Sequence, residues 1–153
     1  MNKENKEVVL AELLKEIRIN YQLLKKGVEF VHKGSDLSVG VRGVIEILND
    51  QGGMTVPHLA KIRHLSRQSV QVMVDQMIKS GWVVTKSNPF HKKSMIIELT
   101  DEGRKAYKNM QEQEVKHMRK LEIDVPQKKL EEALKLMGHI NEKITAFLRQ
   151  DSH

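Results

Sequence analysis

Between residues 66 and 72 the chain sets out Ser66, Arg67, Gln68, Ser69, Gln71 and Val72, side chains suited to meeting a nucleic acid duplex. A glutamine amide carries an acceptor beside a donor, which matches the major-groove edge of adenine, and a valine can meet the methyl of thymine. Serine hydroxyls, an arginine and the open N–H groups of a helix start suit phosphate oxygens. A second set, His91-Lys92-Lys93, lies between Pro89 and Ser94, where a hairpin tip would project. Cations on such a finger can enter the minor groove, whose potential is most negative over A·T-rich sequence. Nothing comparable points to catalysis. His, Ser and Asp are present, but no nucleophile elbow, phosphate loop or paired-carboxylate motif gathers them, so an enzyme is not expected.

These residues need a scaffold, and the surrounding pattern supplies one. At 100° per residue, Val70, Met73, Val74 and Met77 share one helical face and form core. Gln68, Val72, Asp75 and Lys79 then point the other way, with Gln71 beside them and Arg67 and Ser69 flanking the first turn. Asp75 suits DNA least and is expected to pair with a cation of its own chain. The spacing predicts a helix from Thr55 to about Arg63, a turn at His64 and Leu65, and a second helix from Ser66 to about Ser80. Thr55 can cap the first helix, and Pro57 falls in its first turn. Strands follow over Val83 to Lys86 and Met95 to Leu99. A helix-turn-helix with a basic hairpin behind it fits a duplex in two places.

The flanks read as long helices. Leu10, Leu14, Ile17, Tyr21, Leu24, Val28 and Val31 alternate at spacings of four and three, a heptad seam within one helix from Lys3 to about Lys33. Gly34-Ser35-Asp36 stops it, Ser38 caps the next helix with Val41, Val44, Ile45 and Leu48 inward, and Gly52-Gly53 closes that one. Thr100-Asp101-Glu102 caps a further helix through Ala106, Tyr107, Met110, Met118 and Leu121. Pro126 opens the last, with Leu130, Leu134, Met137, Ile140, Ile144 and Phe147 or Leu148 on one face. The expected fold is mainly α with a small β-hairpin wing (α+β). A winged helix-turn-helix at 36–100 is flanked by an N-terminal dimerisation helix at 1–35 and C-terminal dimerisation helices at 101–153. The first helix is too apolar along its seam to stand alone in water, and a second copy of the chain is its expected partner.

Composition narrows the alternatives. The 153 residues suffice for one domain with extensions and carry a net charge of +6. Most of that charge sits between Gly52 and Leu99, where Lys61, Arg63, Arg67, Lys79, Lys86, Lys92 and Lys93 face only Asp75 and Glu98. A local positive field of this kind attracts a polyanion. With no cysteine, disulfides, thiolate metal sites and cysteine redox sensing are excluded. No apolar run approaches a membrane span and the N-terminus lacks signal-peptide character, so no membrane partner and a cytoplasmic location are expected. No cofactor is implied. Glu29 with His32, and Glu114 with His117, each put a carboxylate and an imidazole on one helix face, and two such pairs can hold a metal. Such spacings arise readily by chance, so no metal is expected and a metal-sensing regulator stands as an alternative. A winged-helix module that binds protein is another, opposed by the central positive charge.

The residues together resemble the MarR family, the multiple-antibiotic-resistance type of winged-helix regulator. The matching pieces are Leu59-Ala60, Leu65-Ser66-Arg67-Gln68-Ser69-Val70, Val74-Asp75-Gln76-Met77 and Gly81-Trp82-Val83. Asn88-Pro89-Phe90-His91-Lys92-Lys93-Ser94 corresponds to the wing, and Leu99-Thr100-Asp101-Glu102-Gly103-Arg104 to the segment leaving it. The resemblance implies an obligate homodimer whose first and last helices interlock. It also implies a pseudo-palindromic DNA operator and, usually, repression relieved by a small-molecule effector. The family's wing generally has an acidic residue followed by two arginines, where this chain has His91, Lys92 and Lys93. Lysine lacks arginine's fixed fork and is more strongly hydrated, so a weaker or less selective groove contact is expected here.

Overall fold

Ser38 starts the helix around which the core is assembled. In the computed structural model, which describes residues 3–33, 37–89 and 94–150, its Oγ accepts the Val41 N–H at 3.2 Å. This helix, α2 (Val39–Gln51), follows α1 (Lys3–Val31). Val41, Val44, Ile45 and Leu48 recur at helical spacing along α2 and are all buried. Gly52 ends it at φ 83°, a left-handed turn that suits glycine, with its N–H donating to the Leu48 carbonyl.

A two-residue strand, β1 (Met54–Thr55), leads straight into α3 (Val56–Arg63). Thr55 caps α3 by accepting the His58 N–H, and Pro57 occupies the first turn. His64 stops α3 in the left-handed region at φ 52°, and the Leu65 N–H closes the end on the Ala60 carbonyl at 3.0 Å. The chain then enters α4 (Arg67–Lys79), capped by Ser66.

Strands β2 (Val83–Lys86) and β3 (Ile96–Leu99) pair antiparallel, with Val83 opposite Leu99 and Lys86 opposite Ile96. The expected hairpin is thus present, but β1 adds to the outer side of β3, setting Met54 against Ile97, so the sheet has three strands in the order β1-β3-β2. Lone pairs that a two-stranded ribbon would leave open on β3 are paired in this way. The expectations for Gly34-Ser35-Asp36 and for the tip His91-Lys92-Lys93 lie outside the described residues.

α5 (Asp101–Met118) leaves the sheet through Thr100. The Thr100 Oγ1 donates to the Gly81 carbonyl at 2.7 Å and accepts the Gly103 N–H at 3.0 Å, while its N–H donates to the Trp82 carbonyl. A Cβ on Gly103 would stand 2.1 Å from that same carbonyl oxygen. Here is the physical content of the Leu-Thr-x-x-Gly pattern: threonine ties three segments together, and only glycine fits beneath them.

Residues 1–118 form one compact unit and 119–153 a second. In the first, the buried cluster draws on Leu37, α2, β1, α3, α4, β2, β3 and α5. Helix α1 meets α2 and α5 yet contributes none of the described buried residues, and Val8, Val9, Leu23, Leu24 and Phe30 are exposed along it. The second unit holds a single 3-10 turn (Arg119–Leu121) and α6 (Gln127–Gln150). On α6, Leu130, Leu134, Leu136, Ile144, Phe147 and Leu148 are exposed, and Met137 and Ile140 are half-buried. No described helix is long and apolar enough to cross a membrane.

Candidate nucleic-acid interface

Helix α4 is divided cleanly by its own periodicity. Val70, Val74 and Met77 are fully buried, and Met73 packs half-buried against the same core. The opposite face shows Arg67, Gln68, Ser69, Gln71, Val72, Asp75 and Lys79 to solvent. Val72 is 63% exposed, which leaves its methyl groups open to contact. At the start of the helix the Ser66 Oγ accepts the Ser69 N–H at 3.0 Å and lies 2.7 Å from the Ser69 hydroxyl. Ser66 is thereby committed first to capping, and the first-turn N–H groups beside it still point outward.

The sequence-derived site residues divide between two sides of α4. Arg67, Gln68 and Gln71 line a groove of about 450 Å³ with Val56 and Pro57 of α3 and with Thr85, Ser94, Met95 and Ile97 of the sheet region. Val72 lies on the other flank, where it lines a depression of about 410 Å³ with Asp75, Gln76 and Lys79. Among the described residues Asp75 meets no cation of the kind expected. Its Oδ1 accepts a hydrogen bond from the Gln71 Nε2 at 2.8 Å, one turn earlier on the same helix.

The positive charge is distributed less freely than a residue count suggests. Lys86 pairs with Glu98 across β2 and β3. Arg63 folds its guanidinium against α2, so close that a Cβ on Gly43 would fall 2.3 Å from its Nη1. Lys61, Arg67 and Lys79 remain exposed in the described part of the module.

Behind the module, where α1, α2 and α5 meet, sits a polar cluster that sequence reasoning did not anticipate. Arg42 donates from Nε to the Glu114 Oε1 at 2.8 Å and from Nη2 to the Oε2 at 3.0 Å, a two-pronged geometry with directional strength. Its Nη1 stands 3.0 Å from Glu46, and its guanidinium lies 5.4 Å from the centre of the Tyr107 ring. The bond to Glu114 raises the Arg42 pKa, partly opposed by burial. Burial raises the Tyr107 pKa, Glu46 adds to the rise, and Arg42 opposes it.

This cluster also locates the metal candidates. His32 Nε2 lies 3.7 Å from Glu114 Oε1, but both Glu114 oxygens are already engaged by Arg42. His117 donates from Nδ1 to the Gln113 carbonyl at 2.8 Å and packs edge-on against Phe30, while Glu29 is exposed. Among the described residues no group of three or more His, Asp or Glu side chains is arranged to hold a metal.

Residues 35–94, which contain the capped turn, the two-faced helix and two of the three strands, match the MarR family model. That match covers the winged module and less than half of the chain. Over 95 residues the chain is 26% identical to the HTH-type transcriptional regulator YfiV of Bacillus subtilis, covering 61% of this chain and 59% of YfiV. That match thus spans less than two thirds of the relative's length. Among solved structures, the transcriptional regulator BldR from Sulfolobus solfataricus superposes with a TM-score of 0.77 at 19% identity, over 94% of this chain and 99% of that one. Reduced AbfR bound to DNA superposes with a TM-score of 0.71 at 17% identity, again over 94% and 99%. At these identities the likeness is one of fold.

Proposed function

We propose that this chain is a DNA-binding transcription regulator acting as a homodimer, with α4 entering the major groove and the hairpin lying beside it. The observation that carries this reading is the outward face of α4, where Arg67, Gln68, Gln71 and an exposed Val72 stand on a helix whose other face is locked into the core. Those side chains combine phosphate contact with base-edge chemistry. Reduced AbfR, which shares the fold, was solved bound to DNA, and this supports a DNA partner. Ser66, Arg67 and Ser69 are assigned to phosphate, Gln68, Gln71 and Val72 to base edges, and His91, Lys92 and Lys93 to the minor groove.

The dimer is supported by the exposed apolar residues of α1 and α6, which 1–35 and 101–153 would bury against a second copy. A pseudo-palindromic operator follows from two-fold symmetry. Repression relieved by a small effector rests on the family resemblance, and action in the cytoplasm on the sequence pattern. The chain is read as a regulator and not as an enzyme.

The test is equilibrium binding of the full chain to a labelled duplex across a salt series. Neutralising about six or more phosphates makes affinity fall by about a thousandfold between 50 and 200 mM salt. An affinity indifferent to salt, or no binding in dilute buffer, would remove the reading.

A further inference from the structure

We propose that Asp75 is a positioning residue that sets how Gln71 reads a base, although its own carboxylate is poorly suited to touching DNA. The inference rests on the DNA-binding reading of α4. Gln71 and Asp75 are four residues apart, hence neighbours on one helix face, and the Gln71 Nε2 donates to the Asp75 Oδ1 at 2.8 Å. An ionised carboxylate accepts hydrogen bonds and donates none. Only the amide nitrogen of Gln71 can therefore turn toward Asp75, and the carbonyl oxygen Oε1 must turn away from it. Without Asp75 the amide could rotate freely and present either end.

The fixed orientation has a consequence for sequence preference. In the major groove adenine and cytosine offer an exocyclic amine, whereas guanine and thymine offer acceptors at their O6, N7 and O4 positions. An outward-facing Oε1 is complementary to the amine and repelled by the acceptors. Gln71 is thus set to favour adenine or cytosine on the strand it meets, and inversion of that base pair is disfavoured. Asp75 also repels phosphate, so its removal strengthens binding to every sequence alike while selectivity at one position declines.

The experiment is selection of bound duplexes from a randomised pool by the full-length wild type, Gln71→Ala, Asp75→Ala and Asp75→Asn. The Gln71→Ala variant identifies the position that Gln71 reads, because preference there alone disappears. At that position the wild type should favour adenine or cytosine by about tenfold over thymine or guanine, the scale of one base-edge contact. Asp75→Ala should flatten the preference to within about twofold while leaving other positions selective, the collapse expected when an oriented base contact is lost. Asp75→Asn should also relax the preference, since its amide can donate to the Gln71 Oε1 as readily as it accepts from the Nε2 and so no longer selects one orientation. A preference for guanine or thymine, no position sensitive to Gln71, or full selectivity in Asp75→Ala would each overturn the proposal. In all three cases selection elsewhere in the site would leave DNA reading by α4 standing, whereas a wild type that enriches no sequence and binds no duplex removes both.

Discussion

The winged module and the terminal helices are built from similar amounts of apolar sequence but use it in opposite ways. Within 37–110, Val41, Val44, Ile45, Leu59, Val70, Val74 and Met77 reach almost complete burial inside one chain. On α1 and α6 the same residue types remain uncovered, with Phe30 at 74% and Leu134 at 72% exposure. A heptad seam and a helix-turn-helix both announce burial, yet only the second finds its partner within the protomer. The module carries a finished core, and many apolar residues of the terminal helices stay exposed within the chain.

The sharpest way to break that contrast is to charge the uncovered face. Leu134→Glu combined with Phe147→Glu should weaken self-association by about a hundredfold or more, since burying each such side chain is worth about 1.5–3 kcal/mol and each occurs twice in a dimer. Sedimentation velocity would read the change, and an unaltered dimer would mean that α6 faces something else. In the finished module, Leu59→Ala should lower unfolding free energy by about 2–5 kcal/mol through loss of contact and a residual cavity. Urea titration checks this, and a cost below about 1 kcal/mol, under the range for such truncations, would show a looser core than the one described. Gly103→Ala should cost about 1–3 kcal/mol, the scale of overpacking, because its methyl meets the Trp82 carbonyl oxygen. Thermal melting tests it, and a neutral outcome would mean that Thr100 does not hold the helix as closely as its bonds imply.

The smallest effect expected is alkaline. Burial raises the Tyr107 pKa, so folding favours the protonated phenol. That stabilisation is complete below the ordinary tyrosine range and is lost as pH rises through the raised value. Melting temperature should therefore fall more steeply at high pH in the wild type than in Tyr107→Phe. Parallel curves would show that the phenol contributes nothing to the alkaline limb.

Local signals made the module legible. Ser38 and Thr55, read as caps, accept first-turn N–H groups, while Ser66, read for phosphate, caps α4. Periodicity of 3.6 residues separates the two faces of α4 without any tertiary information. What stayed hidden has physical reasons. Two residues, Met54 and Thr55, are too few for alternation to announce a strand. The Arg42–Glu114 pair joins side chains 72 positions apart, and no periodicity links them. Asp75 shows a subtler limit: charge favoured a cation of its own chain, while helical spacing also places the Gln71 amide one turn away. The bond formed is with the amide. At 91–93 the reading still stands on sequence alone.

The most direct measurement is sedimentation equilibrium of the full chain alone and with a short labelled duplex in dilute salt. Twice the chain mass for the free protein, and saturation at two chains per duplex, is the result expected. A single-chain mass at concentrations that saturate the duplex, or a duplex that stays free throughout, would contradict the pairing of a self-sufficient reading head with helices completed only by a second copy.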